Sequence, residues 1–314
     1  MAEFTRLGLG AANLGNLYRP MSDDEAWKIL ETAWDEGIRY FDTAPHYGLG
    51  LSERRLGAFL ATKPRDEYVV STKVGRLLRA VENAGGALDN QDFAVPADVQ
   101  RVWDFSADGI RRSLEESLAR LGLDRVDILY LHDPERFDLD LADREAYPTL
   151  VKMREEGLVD AVGIGSMSVD ALARAAMNAD LDVLMVAGRL TLAEQPTLRR
   201  ILPSAEENGQ EIVAAGVFNS GLLAQAEPNA SSRYEYGSVP PALLEKVSQI
   251  AHVCSEFGVD LPTAALQYPL RFSGVRSVVV GASSAQQLAA NAHRMATTVP
   301  EELWEQLTER GLVG

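Results

Sequence analysis

Cysteine is nearly absent from this 314-residue chain. Cys254 stands alone, so no internal disulfide forms. Its setting, IAHVCSEFG, reads as the apolar side of a helix, where a free cysteine packs. Histidine is equally scarce. His46, His132, His252 and His293 are scattered, with neither H-x-x-x-H nor C-x-x-C spacing, so no metal is expected. Positive charge is outnumbered, 30 Lys and Arg against 46 Asp and Glu, for a net charge of −16. That balance argues against nucleic acid and against an anionic membrane surface as partners. No apolar run approaches the ~18 residues that span a bilayer. The opening MAEFTRLGLGAANLG has no basic segment followed by an apolar one, so a cytoplasmic protein is expected.

What the chain does contain is a regular alternation. Eight runs rich in Val, Ile and Leu read as strands over 5–10, 38–43, 68–74, 126–132, 159–166, 181–188, 211–217 and 275–283. Amphipathic stretches over 22–36, 51–61, 106–121, 147–156, 168–179, 196–208, 240–257 and 284–295 read as helices between and after them. Ser22 with Glu25 forms a capping-box pattern, and Ser106 and Ser168 stand at similar starts. Gly37, Gly122 and Gly157 mark stops. No linker or change of composition divides the chain, so a single domain over residues 1–314 is expected, an α/β fold of the (β/α)8 TIM-barrel class. Two connections, 76–104 and 218–239, are long for crossovers and follow strand C-termini, the face where such barrels bind substrate. Their aromatics Phe93, Trp103, Phe218, Tyr234 and Tyr236 are candidate pocket walls.

Three successive strands end in an ionisable residue: Asp42 in FDT, Lys73 in STKVG and His132 in YLHD. Barrel geometry points all three at one site. Tyr47 follows Asp42 closely, in FDTAPHYG. A lysine ammonium favours a phenolate, so Lys73 is expected to lower the Tyr47 pKa while Asp42 holds Lys73 charged and His132 donates to the same substrate oxygen. Such a set exchanges a proton with an alcohol or carbonyl oxygen, typically worth roughly 10²–10⁴ in rate. The remainder of the reaction requires a hydride carrier. His46 has only its loop position and reads as structural or pocket-lining.

With Asp, Tyr, Lys and His met in this order, the sequence resembles the aldo/keto reductase superfamily over essentially its whole length. The continuation GLGLSERRLG, with Glu53 and Gly57, looks like the family's second helix. The resemblance implies that Asp42, Tyr47, Lys73 and His132 are the catalytic tetrad, and that a nicotinamide dinucleotide lies extended across the barrel mouth without a Rossmann domain. The missing G-x-G-x-x-G fingerprint agrees with this. It also implies cofactor contacts at Ser166 for the carboxamide, and at Gly281, Ser283, Gln287 and Asn291 toward the adenosine. Met167 and Met185 stand where the family usually has Asn and Gln, and Ala215 replaces the usual stacking aromatic. These departures, with GLGAANLGNLY, VAGRLTLAEQ and AAGVFNSGLLA, resemble one branch, the D-threo-aldose (L-fucose) 1-dehydrogenases, L-galactose dehydrogenases and pyridoxal 4-dehydrogenases.

NAD is the expected cofactor. Gly281 and Gln287 stand where relatives that prefer NADPH carry cations for the 2′-phosphate; some NADP use follows if Arg276 or Arg294 reaches in. The expected reaction is oxidation of a small cyclic hemiacetal, a sugar or pyridoxal, to a lactone. NADPH-linked reduction of aldehydes and ketones by the same tetrad is the alternative. A noncatalytic redox-sensing subunit is the third reading, disfavoured by the intact tetrad.

Overall fold

In a computed structural model, residues 4–82, 85–229, 232–234 and 237–314 are described. The eight expected strands all form, trimmed at their ends. They are β1 (Leu7–Gly10), β2 (Tyr40–Asp42), β3 (Val69–Val74), β4 (Ile128–His132), β5 (Ala161–Ser166), β6 (Val183–Ala187), β7 (Glu211–Ala215) and β8 (Val275–Val280). They close into one parallel barrel in which β1 pairs with both β2 and β8.

The two-residue alternation of side chains divides every strand between two cores. Phe41, Val70, Leu129, Leu131, Val162 and Ile164 face outward and pack under the helices. Tyr40, Val69, Ile128, Tyr130, Val183 and Val213 turn inward and fill the barrel. In the same phase lie Asp42, Ser71, Lys73 and His132, each two or four residues from one of those inward positions. A buried strand set therefore ends, at its C-terminal rim, in a ring of polar side chains.

The start signals act as expected. Ser22 accepts from the Glu25 N–H while the Glu25 carboxylate accepts from the Ser22 N–H, opening the helix Asp23–Asp35. Ser106 and Ser168 likewise cap Ala107–Leu121 and Val169–Asn178. Glu53, fully buried, accepts from Thr72 at 2.9 Å and from Arg120 at 2.5 Å, tying the helix Leu51–Leu60 to β3 and to Ala107–Leu121.

Several helical expectations need correction. The stretch 196–208 breaks into Thr197–Arg200 and Leu202–Glu207 at Ile201, whose φ of −122° is not helical. The long helix Pro241–Glu256 does not supply the main barrel cover between β7 and β8. It joins Glu301–Glu309 in a satellite core that includes Cys254, Val247, Ile250, Leu303 and Leu307. The short helix Leu261–Gln267 sends Leu266 into the barrel-side core. Cys254 is buried and free, as read from its helix face, and burial pushes its thiol up to about 12.

The connection 76–104 contains an antiparallel hairpin of Arg76–Ala80 with Val99–Trp103. Residues 218–239 contain a turn at Asn219–Gly221 and a two-residue pairing of Arg233–Tyr234 with Gly237–Ser238. Among the described residues, no helix is long and apolar enough to cross a membrane.

Candidate active site

Strand register assembles the polar centre. Asp42 pairs beside Ser71, and Lys73 beside Tyr130. Lys73 Nζ donates to Asp42 Oδ2 at 2.5 Å and to the Thr43 carbonyl at 3.0 Å. Ser71 Oγ donates to the other carboxylate oxygen at 2.7 Å. Below it the Tyr40 hydroxyl lies 3.1 Å from Ser71 Oγ and 3.1 Å from the Tyr130 hydroxyl. Asp42 and Lys73 are only 3% and 2% exposed, so water cannot replace either partner. Asp42, followed by Tyr47, raises the Lys73 pKa against the opposing effect of burial, and the ammonium stays charged.

Tyr47 reaches this centre from the turn after β2. The turn is fixed by contact between the backbones of Gly15 and Gly48: a Cβ on Gly48, whose φ is +61°, would lie 2.2 Å from the Gly15 carbonyl oxygen. Lys73 Nζ stands 4.8 Å from the centroid of the Tyr47 ring. Burial nevertheless pushes the phenol above its ordinary value, with Lys73 pulling it down and Asp42 pushing it up. This corrects the expectation of an acidified tyrosine, because desolvation of the phenolate outweighs the single cation.

His132 is held well below the ordinary imidazole range, by burial first and then by Arg76 and Lys73. It is therefore neutral, with one N–H to donate. His46 packs edge-on against Phe93 and His132, at 5.3 and 5.6 Å between ring centroids. Burial and Arg76 push it down to about 2, and it does not line the cleft.

Asp42, Tyr47, Lys73 and His132 all open into one cleft of about 480 Å³ at the barrel mouth. Ser166, Gly281, Ser283 and Gln287 line the same cleft, as do Met167, Met185 and Ala215. Ser166 Oγ donates to Glu135 Oε1 and accepts from the Ser168 N–H, both at 2.8 Å, which leaves one lone pair for a ligand. Gln287 Oε1 accepts from the Ser283 N–H at 2.8 Å. A Cβ on Gly281 would meet Asn13 Oδ1 at 2.5 Å. Asn291 is not on the cleft wall. It is 2% exposed, and its Oδ1 accepts from Arg294 at 3.3 Å.

The cleft fits an extended dinucleotide by its own chemistry. Gly10, Ala12, Gly165, Ala187, Ala215 and Gly216 make a low wall around the mouth, open to a planar ring. Asn219 also lines it, 5% exposed, with its Oδ1 buried and unpaired.

A model of the aldo/keto reductase family matches residues 6–310. The chain belongs to the aldo/keto reductase family. As a member it is an oxidoreductase that uses a nicotinamide cofactor. It is 60% identical to D-threo-aldose 1-dehydrogenase of Pseudomonas sp, over 98% of this chain and 94% of that one. Pyridoxal 4-dehydrogenase of Microbacterium luteolum is 37% identical, with 98% and 94% covered. Among solved structures, an aldo-keto reductase of Bacillus halodurans in its holo form superposes with a TM-score of 0.76 at 24% identity, covering 99% of this chain and 93% of that one. That likeness concerns the fold.

Other expectations about the reductase site need adjusting. Of the loop aromatics, Phe218 lines the cleft. Phe93 packs behind Tyr47, Trp103 stacks on Phe137 at 5.5 Å, and Tyr234 donates to Glu194 at 2.9 Å. Tyr236 lies outside the described residues. Neither arginine proposed for a 2′-phosphate reaches in: Arg276 binds Glu211 at 2.9 Å and Arg294 binds Asp260 at 3.3 Å. A cation that sequence reading missed, Arg19, donates to the carbonyl of the cleft residue Ser283 at 2.7 Å. Asn13, Tyr18, Asp133 and Asn219 are further cleft residues without an advance signal. Tyr18, Asp133 and Asn219 share a positive φ, which composition does not reveal.

Proposed function

We propose that this protein oxidises the anomeric hydroxyl of an aldose to a lactone, with NAD as the preferred cofactor. The observation that carries the reading is the 60% identity, over nearly the whole of both chains, to an enzyme named for that reaction. The site supports it.

When bound, the nicotinamide supplies the hydride-accepting ring. Tyr47 Oη takes the proton of the substrate hydroxyl. Lys73 opposes the burial that keeps the phenol protonated, and Asp42 holds Lys73 charged. Neutral His132 donates its N–H to the same oxygen and orients it. Ser166, Gly281, Ser283 and Gln287 line the dinucleotide path, and Asn291 supports the helix beneath it through Arg294. NAD is preferred over NADP because Gly281, Ser283 and Gln287 carry no charge, while Arg276, Arg294 and Arg19 already stand opposite Glu211, Asp260 and Glu25. A doubly charged phosphate there lacks a free cationic partner. The ligand is a small sugar or aldehyde.

One observation favours the reverse reaction as a second reading. A buried phenol with a raised pKa is a proton donor at neutral pH, as carbonyl reduction by NADPH requires. Initial rates with NAD and with NADP on L-fucose, L-galactose, D-arabinose and pyridoxal separate the two. Turnover of a sugar with NAD supports the proposal; silence there, with NADPH consumed by simple aldehydes, replaces it with the reductive reading.

A further inference from the structure

We propose that Asp133 is a specificity residue, whose free carboxylate oxygen accepts a hydrogen bond from the sugar hydroxyl next to the reacting carbon. This deepens the aldose reading and rests on it. The backbone is the first indication. Asp133 has φ 44° and ψ 56°, a left-handed conformation that costs free energy in a non-glycine residue and concentrates at functional sites. It is locked there because its N–H donates to the Gly165 carbonyl at 2.9 Å and its own carbonyl accepts from the Arg136 N–H at 3.0 Å.

The side chain is held just as firmly. Arg76 donates to Asp133 Oδ2 at 2.6 Å. Arg76 is itself 4% exposed, and its guanidinium lies 4.3 Å from the centroid of the Trp103 ring. One oxygen of the carboxylate is thus committed to a buried cation. The other, Oδ1, has no hydrogen-bond partner among the described residues, while the side chain lines the cleft and keeps 17% of its surface exposed. A carboxylate is an acceptor only, so what Oδ1 recognises is a hydroxyl or other donor.

Position decides which hydroxyl. Asp133 Oδ2, the oxygen that Arg76 holds, lies 3.7 Å from His132 Nε2, the group assigned to orient the reacting oxygen, and the free Oδ1 shares its carboxylate carbon. An acceptor placed beside that imidazole reaches the neighbouring carbon of the sugar ring, whose hydroxyl stands about one hydrogen-bond length from the first. A substrate lacking it leaves a charged acceptor covered and unpaired, which selects against that substrate by about ten- to a hundredfold.

The test compares D-arabinose with 2-deoxy-D-ribose, its counterpart without that hydroxyl, using kcat/KM with NAD in the native protein and in Asp133→Asn. The native protein should prefer D-arabinose by about ten- to a hundredfold. Asp133→Asn, which keeps an oxygen for Arg76 but no second carboxylate oxygen, should reduce the preference to within about threefold. A residue that only neutralises Arg76 would lower both substrates together and leave the ratio unchanged; that outcome overturns the proposal. Equal kcat/KM on the two sugars in the native protein overturns it without any variant. Absence of native turnover on both sugars, with activity on unrelated aldehydes, overturns the aldose reading and this inference with it.

Discussion

Replacing Lys73 by methionine removes the cation from a pair that has no other source of compensation. Asp42 and Lys73 are 3% and 2% exposed and 2.5 Å apart, and the carboxylate would be left with Ser71 as its donor. Breaking a buried pair on one side typically destabilises by about 3–5 kcal/mol, a large share of the roughly 5–15 kcal/mol that holds a domain folded. The same change removes the cation that favours the Tyr47 phenolate, so kcat for oxidation should fall by about 10²–10⁴. These two consequences have different remedies. In the double variant Asp42→Asn/Lys73→Met no charge remains to be compensated, and most of the lost stability should return. Activity should not, because the cation is still missing. Guanidinium unfolding midpoints and kcat with NAD, measured on native, single and double variants, check both halves. A single variant within threefold of native kcat, or a double variant no more stable than the single, would refute the reasoning.

Oxidation should speed up with pH. Burial raises the Tyr47 phenol above its ordinary value, so at neutral pH the group is protonated and only the minor phenolate accepts a proton. That fraction grows about tenfold per pH unit below the pKa, while Lys73, whose pKa is also raised, keeps its charge over the range. A profile of kcat/KM that peaks near neutrality and falls in the alkaline range contradicts this sign. Gln287→Arg should raise the ratio of kcat/KM with NADP to that with NAD by about tenfold; an unchanged ratio places the 2′ end of the cofactor elsewhere.

The barrel was legible because its strands are buried on both faces and so read as continuous apolar runs. The site was legible where polar residues interrupt those runs at or next to their last position, as Asp42, Lys73 and His132 do. The supporting network could have been found by stepping back two residues along each strand, from Asp42 to Tyr40, Lys73 to Ser71 and His132 to Tyr130, since alternation puts each pair on one face. Helix Leu261–Gln267 was missed because it is only seven residues long and the longer amphipathic run before it occupied its place between β7 and β8. The sign of the Tyr47 shift depends on depth of burial, and the role of Arg19 on a contact to Ser283 some 264 positions away. Neither quantity is local in sequence.

The most direct measurement of the central claim is kcat for D-threo-aldose oxidation with NAD in Tyr47→Phe, beside the Kd for NAD from protein fluorescence. This substitution keeps the ring that packs on Phe93 and removes only the proton-carrying oxygen. The account predicts a fall in kcat of about 10²–10⁴ with the NAD Kd unchanged. A variant that retains most of its kcat would mean that the proton leaves by another group and that the assigned site chemistry is wrong.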